Sequence, residues 1–413
     1  MQVEFPKDFL WGTATAAHQV EGNNVNSDFW LLEHLPGTIF AEPSADACDH
    51  YHRYAEDIAL LAELGFTSYR FSIEWARVEP EEGHFSQAVL DHYRRMLLAC
   101  RQNGLKPMVT FHHFTSPRWL ISAGGWTDIV TAERFARYCA HATRCLGDLI
   151  DYVCTINEVN IPIMIPLLFL SNQETGVQMA AFMQAAMQAF GLTSAPFSPY
   201  IFAVSEQGRD VILEAHKQAA SAIKAERSDL PVGLTIAMSD MQAVEGGEAR
   251  RDHLRREVQD IFLEAARQDD FLGVQCYTRR RVSPDGPLPP EEGVELTQMG
   301  YEFWPEAMEA TLRYAAQVAG VPMIVTENGI GATDDARRLE YYRRALQGVA
   351  NCLNDGLDVR GYYAWSALDN FEWLEGYRPK FGIIAVDRET QERTVKPSGQ
   401  WLGQVARANG FQI

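Results

Sequence analysis

Two short runs bring together the residue types needed to break a glycosidic bond: Thr155-Ile-Asn-Glu158 and Val325-Thr-Glu-Asn-Gly329. Each follows an apolar, β-rich stretch, so each sets a glutamate at the end of a predicted strand. Glycoside cleavage needs a carboxylic acid to protonate the leaving oxygen and a carboxylate on the other side of the anomeric carbon. Carboxyls ~5–5.5 Å apart let the second attack directly and retain configuration, whereas ~6.5–9.5 Å admits a water and inverts it. Charge coupling assigns the roles. Arg70, ending another predicted strand, keeps Glu327 ionised, and that charge raises the proton affinity of Glu158. Glu158 is therefore the predicted acid/base and Glu327 the predicted nucleophile. A single glutamate at a strand end is as readily a structural ion pair; two, flanked by Asn and aromatics, favour chemistry.

Two further runs suggest recognition. His112-His113 invites a metal-site reading, but adjacent side chains on a strand point to opposite faces. One histidine alone can face a pocket, which suits a hydrogen bond to a sugar hydroxyl better than a ligand set. The run from Trp365 to Trp373 offers two indole faces with Glu372 beside the second. Stacking surface next to a carboxylate is how vicinal hydroxyls and C–H faces of a sugar are bound. Trp11, Trp75 and Trp401 read instead as packing residues.

The elements that must position these groups alternate. Eight predicted strands, at residues 9–14, 68–73, 107–112, 152–157, 232–237, 272–277, 322–326 and 361–366, are separated by longer stretches with apolar residues at helical spacing. Six helices are predicted, at 51–64, 86–103, 132–149, 211–227, 305–319 and 335–355. No Gly-x-Gly-x-x-Gly follows the first strand, against a dinucleotide-binding open sheet. The rhythm predicts an α/β fold with a single (β/α)8 TIM barrel over residues 1–413, undivided by linkers or repeats. In such a barrel the strand C-termini meet on one face. That gathers Gln19, Glu21, Arg70, Glu74, His112, His113, Asn157, Glu158, Tyr277, Glu327, Asn328 and Asp369 through Glu372 into one expected pocket.

Composition narrows the partners. A formal net charge of −19 opposes non-specific attraction to nucleic acid or an anionic membrane, leaving a small neutral molecule as the expected ligand. Seven scattered cysteines without a CxxC pair read as reduced thiols of a cytoplasmic protein. The N-terminal residues lack the basic and apolar regions of a signal peptide. The most apolar stretch, 161–170, holds two prolines and falls short of the ~20 residues of a membrane span.

These segments closely resemble glycoside hydrolase family 1, the β-glucosidase and β-galactosidase family. The likeness runs through Phe9-Leu-Trp-Gly-Thr-Ala-Thr-Ala-Ala-His-Gln-Val-Glu-Gly22, Tyr69-Arg-Phe-Ser-Ile-Glu-Trp75, Thr110-Phe-His-His113, Thr155-Ile-Asn-Glu-Val-Asn160, Asp270-Phe-Leu-Gly273, Val325-Thr-Glu-Asn-Gly329 and the run from Trp365 to Trp373 followed by Glu375-Gly376-Tyr377. The resemblance implies a retaining β-glycosidase without cofactor or metal, with Glu158 as acid/base and Glu327 as nucleophile. It further implies glycone contacts from Gln19, His113, Asn157, Glu372 and Trp373, a stacking platform at Trp365, and Tyr277 hydrogen-bonded to the nucleophile. Relatives that act on 6-phosphoglycosides carry a small residue at the position of Glu372, beside a phosphate-binding lysine; Glu372 would repel a phosphate, so a non-phosphorylated sugar is expected.

Three departures from the family pattern stand out. Gln275-Cys276-Tyr277 replaces Asn-Tyr-Tyr, Phe114 replaces a common Trp, and residues 161–200 are unusually rich in Met, Phe and Leu. That stretch is expected to be a shortened, repacked helix-and-loop region; the sharper alternative is a hydrophobic wall or lid over the aglycone site. The expected activity is β-glucosidase, with β-galactosidase, β-fucosidase or transglycosylase as alternatives on the same scaffold. A sugar-binding protein without catalysis, or a metal-dependent barrel hydrolase, are the readings from other classes.

Overall fold

Neighbouring residues along each central strand go to different hydrophobic clusters. Leu10, Met108, Cys154, Ile324 and Tyr363 belong to one, while Trp11, Val109, Val153, Val325 and Tyr362 belong to another, much larger one. This is the period of two expected of strands covered on both faces, with the small cluster filling a lumen and the large one lying under an outer layer of helices.

The computed structural model describes residues 2–168, 174–193 and 196–412. The lumen is walled by β1 (Leu10–Ala14), β2 (Ser68–Ser72), β3 (Lys106–His112), β4 (Tyr152–Ile156), β5 (Val232–Gly233, resuming as Thr235–Ala243), β6 (Leu272–Ser283), β7 (Met323–Asn328) and β8 (Val359–Trp365). All neighbours are parallel, and β8 returns to β1 with Gly361 opposite Leu10. The first piece of β5 pairs with β4, Val153 opposite Val232, and the second pairs with β6, Ala237 opposite Gln275. The ring is thereby closed, and the eight predicted strands are all present as a (β/α)8 barrel.

Helices fill the outside: α1 (His50–Leu64), α2 (Gln87–Gln102), α3 (Val130–Leu146), α4 (Ile161–Leu168), α5 (Glu174–Ala189), α6 (Glu206–Glu226), α7 (Glu248–Arg255, running on to residue 265), α8 (Ala307–Ala319), α9 (Asp335–Asn354) and α10 (Pro397–Ala408). In α2 the buried Leu90, Tyr93, Met96, Leu97 and Cys100 follow helical spacing, and Ser86 caps the start by accepting from Val89 N. The six predicted helices are found, while α7 and α10 were not read from sequence. In α7 the first run, Glu-Ala-Arg-Arg-Asp-His-Leu-Arg, buries Leu254 alone, and its apolar stripe shows only once the helix runs on through Val258 and Phe262.

Gly329 shows how tightly the strand ends pack. A Cβ there would lie 1.8 Å from the carbonyl oxygen of Trp365, a backbone atom that cannot swing away. Gly329→Ala is expected to cost about 1–3 kcal/mol, the usual toll of overpacking, read as a lower denaturant midpoint.

Candidate active site

The strand C-termini surround a cavity of ≈ 440 Å³. Glu327 and Glu158 both line it, with exposures of 3% and 8%. Neither points inward by strand alternation alone. On β7, Ile324 faces the lumen and Val325 the helices, so regular alternation would send Glu327 outward. A register shift between Val325 and Glu327 in the pairing with β6 re-aims it into the cavity. Glu158 follows β4 with φ 46°, a left-handed conformation that a glutamate adopts only when its surroundings hold it. Its N–H donates to Thr235 Oγ1 (2.9 Å) and its carbonyl accepts from Tyr200 OH (3.0 Å).

The two carboxyls have opposite surroundings. Arg70, 0% exposed on β2, donates from Nη1 to Glu327 Oε1 at 2.6 Å, and Tyr277 OH donates to Glu327 Oε2 at 2.6 Å. Burial lifts the proton affinity of Glu327, and Arg70 and Tyr277 oppose that lift. Among the described residues no side chain donates to the Glu158 carboxyl. Burial, then the charge of Glu327, hold it well above the ordinary carboxylate range. Such a pair can offer a proton and a carboxylate to one bound molecule.

Asn157 ties the site together. Its Oδ1 accepts from Arg70 Nη2 (2.5 Å) and Gln275 Nε2 (2.8 Å), while Thr235 Oγ1 donates to Gln275 Oε1 (3.2 Å). With Oδ1 thus occupied, Asn157 Nδ2 faces His113 Nε2 at 3.1 Å, which makes Nε2 an acceptor and puts the ring proton on Nδ1. His113 is kept neutral by burial, first, and by Arg70. Its ring lies nearly parallel to those of Trp365 (5.7 Å between centroids) and Trp373 (6.1 Å). Glu372 lies beside Trp373 on the same wall, its carboxyl pushed up to about 8 by burial and then by Glu327.

Of the residues expected in the pocket, His113, Asn157, Glu158, Tyr277, Glu327, Trp365, Glu372 and Trp373 line it. Arg70 lies buried beneath. Gln19 is fully buried, donating to Phe371 O at 2.7 Å and held against the Glu372 side chain. Others are drawn away by partners, correcting the expectation of one common pocket. Glu21 pairs with Arg77 (2.9 Å), Glu74 accepts from Thr115 (2.7 Å), Asp369 pairs with Lys396 (2.8 Å), and Asn328 accepts from Tyr362 OH (2.6 Å). His112 turns outward to Ser116 and Trp126.

Sequence reasoning missed Thr235 and Tyr200, which carry no motif. Gln275 was visible only as a departure, and its amide proves to be a clamp on Asn157. The 161–200 region supplies side chains both to the core and to the cavity wall. Phe182, Ala186, Phe190 and Phe197 are buried in the main core, whereas Ile161, Met164 and Ile165 of α4 line the cavity; residues 169–173 and 194–195 lie outside the described residues. Among the described residues no helix is long and apolar enough to cross a membrane.

Removing Arg70 leaves Glu327 buried without its cation. Arg70→Ala is expected to cost about 3–5 kcal/mol at neutral pH. In that variant the folded-state pKa of Glu327 rises further above its unfolded value, so the deficit against wild type is largest at higher pH and shrinks as acid protonates Glu327. Thermal melting of both proteins across pH measures it.

Comparison with known proteins places this geometry. The sequence model for Glycosyl hydrolase family 1 matches residues 1–249 and 267–411. A β-glucosidase of Agrobacterium sp. is 33% identical over 100% of this chain and 96% of its own length, and β-glucosidase A of Thermotoga maritima is 30% identical over 99% of each. The crystal structure of β-glycosidase BGL167 superposes with a TM-score of 0.94 at 58% identity, covering 98% of this chain and 97% of that one. The family 1 β-glucosidase structure from Thermotoga maritima gives 0.87 at 28% identity over 100% of both. The protein with the Glu158–Glu327 cavity is a β-glycosidase of glycosyl hydrolase family 1.

Proposed function

We propose that the protein is a retaining β-glucosidase, releasing terminal non-reducing β-D-glucosyl residues by double displacement. The observation that carries this reading is the unequal pair: Glu327 fixed by Arg70 and Tyr277, beside a Glu158 carboxyl whose proton affinity burial, then Glu327, raise well above the ordinary carboxylate range. Glu327 attacks the anomeric carbon as Glu158 gives its proton to the departing oxygen, forming a glycosyl ester. The ester removes the Glu327 charge, so the proton affinity of Glu158 falls and it can take a proton from the attacking water. Water then frees glucose with configuration retained.

Gln19 Oε1, His113 Nδ1 and Glu372 Oε2 are buried with no partner among the described residues. Buried polar atoms are rarely left unsatisfied, and sugar hydroxyls would complete all three, with Trp365 as the stacking platform and Asn157 and Trp373 as further contacts. Glucose as the glycone is supported by the names of the relatives; a Bifidobacterium breve relative, 31% identical, is named a bifunctional β-D-glucosidase/β-D-fucosidase, which keeps β-fucosidase and β-galactosidase activity as the second reading. We take residues 1–413 as one catalytic domain, supported by the unbroken barrel. A cytoplasmic setting is supported by seven cysteines that are all unpaired.

Glu327→Gln is expected to abolish turnover. Glu158→Gln is expected to spare the first step for 2,4-dinitrophenyl β-glucoside, whose leaving group needs no proton, and to stop cleavage of alkyl glucosides; wild-type kinetics from Glu327→Gln refutes the assignment. The pH profile of kcat/KM, which reports the free enzyme, follows from the same shifts. Activity falls as pH drops through the Glu327 value, and falls again as pH rises through the Glu158 value, which lies well above 4.5. An alkaline limb in the ordinary carboxylate range would contradict Glu158 as the acid.

A further inference from the structure

We infer that the leaving-group side of the cavity is built for an apolar, hydroxyl-poor aglycone of the alkyl or aryl class. This rests on the reading of Glu158 as the acid: the leaving oxygen must sit at its carboxyl, so the aglycone extends over the elements next to Glu158 in space. Those are α4, which starts three residues after Glu158, the second piece of β5 around Met238, and the short turn at residues 200–202. They present Ile161, Met164, Ile165, Ile201 and Met238 to the cavity.

This wall is anchored. Asn160, just before α4, donates from Nδ2 to Ala237 O (2.7 Å) and Val258 O (2.7 Å), and accepts at Oδ1 from Ala237 N (2.9 Å). The same side chain therefore fixes the start of α4 against the strand that carries Met238. Tyr200 OH, bonded to the Glu158 carbonyl, ties the turn bearing Ile201 to the backbone of Glu158. The backbone is held while the two methionines remain adaptable, a combination that accepts apolar groups of varied shape.

Among the described residues that line the cavity, polar side chains are few beyond the sugar-facing groups already described. Thr278 spends its hydroxyl on Glu302 O (2.8 Å), and Glu375 is paired with Arg378; Ser239 and Tyr301 are the other two. A second sugar ring would bring several hydroxyls against isoleucine and methionine and lose their water without replacement. An alkyl chain loses nothing there and gains burial.

The test uses the full chain and methyl, butyl, hexyl and octyl β-D-glucosides below micellar concentrations, with cellobiose alongside. Acidity of the departing alcohol hardly changes along the longer alkyl series, so differences in kcat/KM report burial of the chain. We expect kcat/KM to climb about two- to fourfold per methylene, the upper figure being that of a fully buried CH2, and octyl glucoside to exceed cellobiose at least tenfold. Ile165→Asn and Met238→Gln are each expected to cut the octyl-to-methyl ratio at least threefold, with each variant's own methyl glucoside value as its reference. A flat alkyl series, or cellobiose equal to octyl glucoside, overturns the inference while glucoside cleavage itself upholds the reaction. Failure to cleave any glucoside overturns both.

Discussion

The site depends on one buried cation. Arg70 reaches Glu327 on β7, Asn157 after β4 and Thr110 on β3 from its own place on β2, all inside the lumen. A guanidinium suits this because it is planar, always charged and able to donate in several directions at once. Its burial is costly, and the cost is offset only if each of those acceptors stays where it is. The register shift that turns Glu327 inward, the position of Asn157 and hence the tautomer of His113 are thus parts of one constraint.

How much of this was legible follows from what each feature depends on locally. Strand ends and the residues on them can be read because alternation and flanking helices leave a pattern in the chain. The bulge at Glu327 leaves none: it arises from pairing between β7 and β6, across strands far apart in sequence. The left-handed backbone of Glu158 is similarly imposed by Thr235 and Tyr200, from elsewhere in the barrel. Glu21, Glu74 and Asn328 looked like site residues because they are polar and stand near strand ends. Their partners Arg77, Thr115 and Tyr362 decide otherwise, and no spacing rule reveals a partner.

The cavity divides into two kinds of surface with two kinds of rigidity. Glu327, Asn157 and His113 are fixed by directional hydrogen bonds, so the proposed sugar would have to present its hydroxyls in a matching arrangement. Around Ile161, Met164 and Met238 the backbone is fixed but the contacts are non-directional. The division has a catalytic logic. Charge develops on the glycone ring, where preorganised groups are most effective, while the aglycone needs only to be held as its oxygen is protonated.

Charge inside the cavity also changes the reason for excluding a phosphorylated sugar. From sequence, the resemblance sets Glu372 where 6-phosphoglycoside relatives carry a small residue beside a lysine, and a carboxylate there would repel a phosphate. In the folded protein burial, then Glu327, push the Glu372 carboxyl up to about 8, which weakens its negative charge near neutral pH. Exclusion then has a different source. Among the described residues the cavity lining contains no lysine or arginine, and Arg70 beneath it is already committed to Glu327 and Asn157. A phosphate would give up its hydration without gaining a cation, and its charge would push the Glu372 carboxyl still further toward the neutral form. The proposed preference for a neutral sugar thus follows chiefly from a lining that, among the described residues, offers a phosphate no cation.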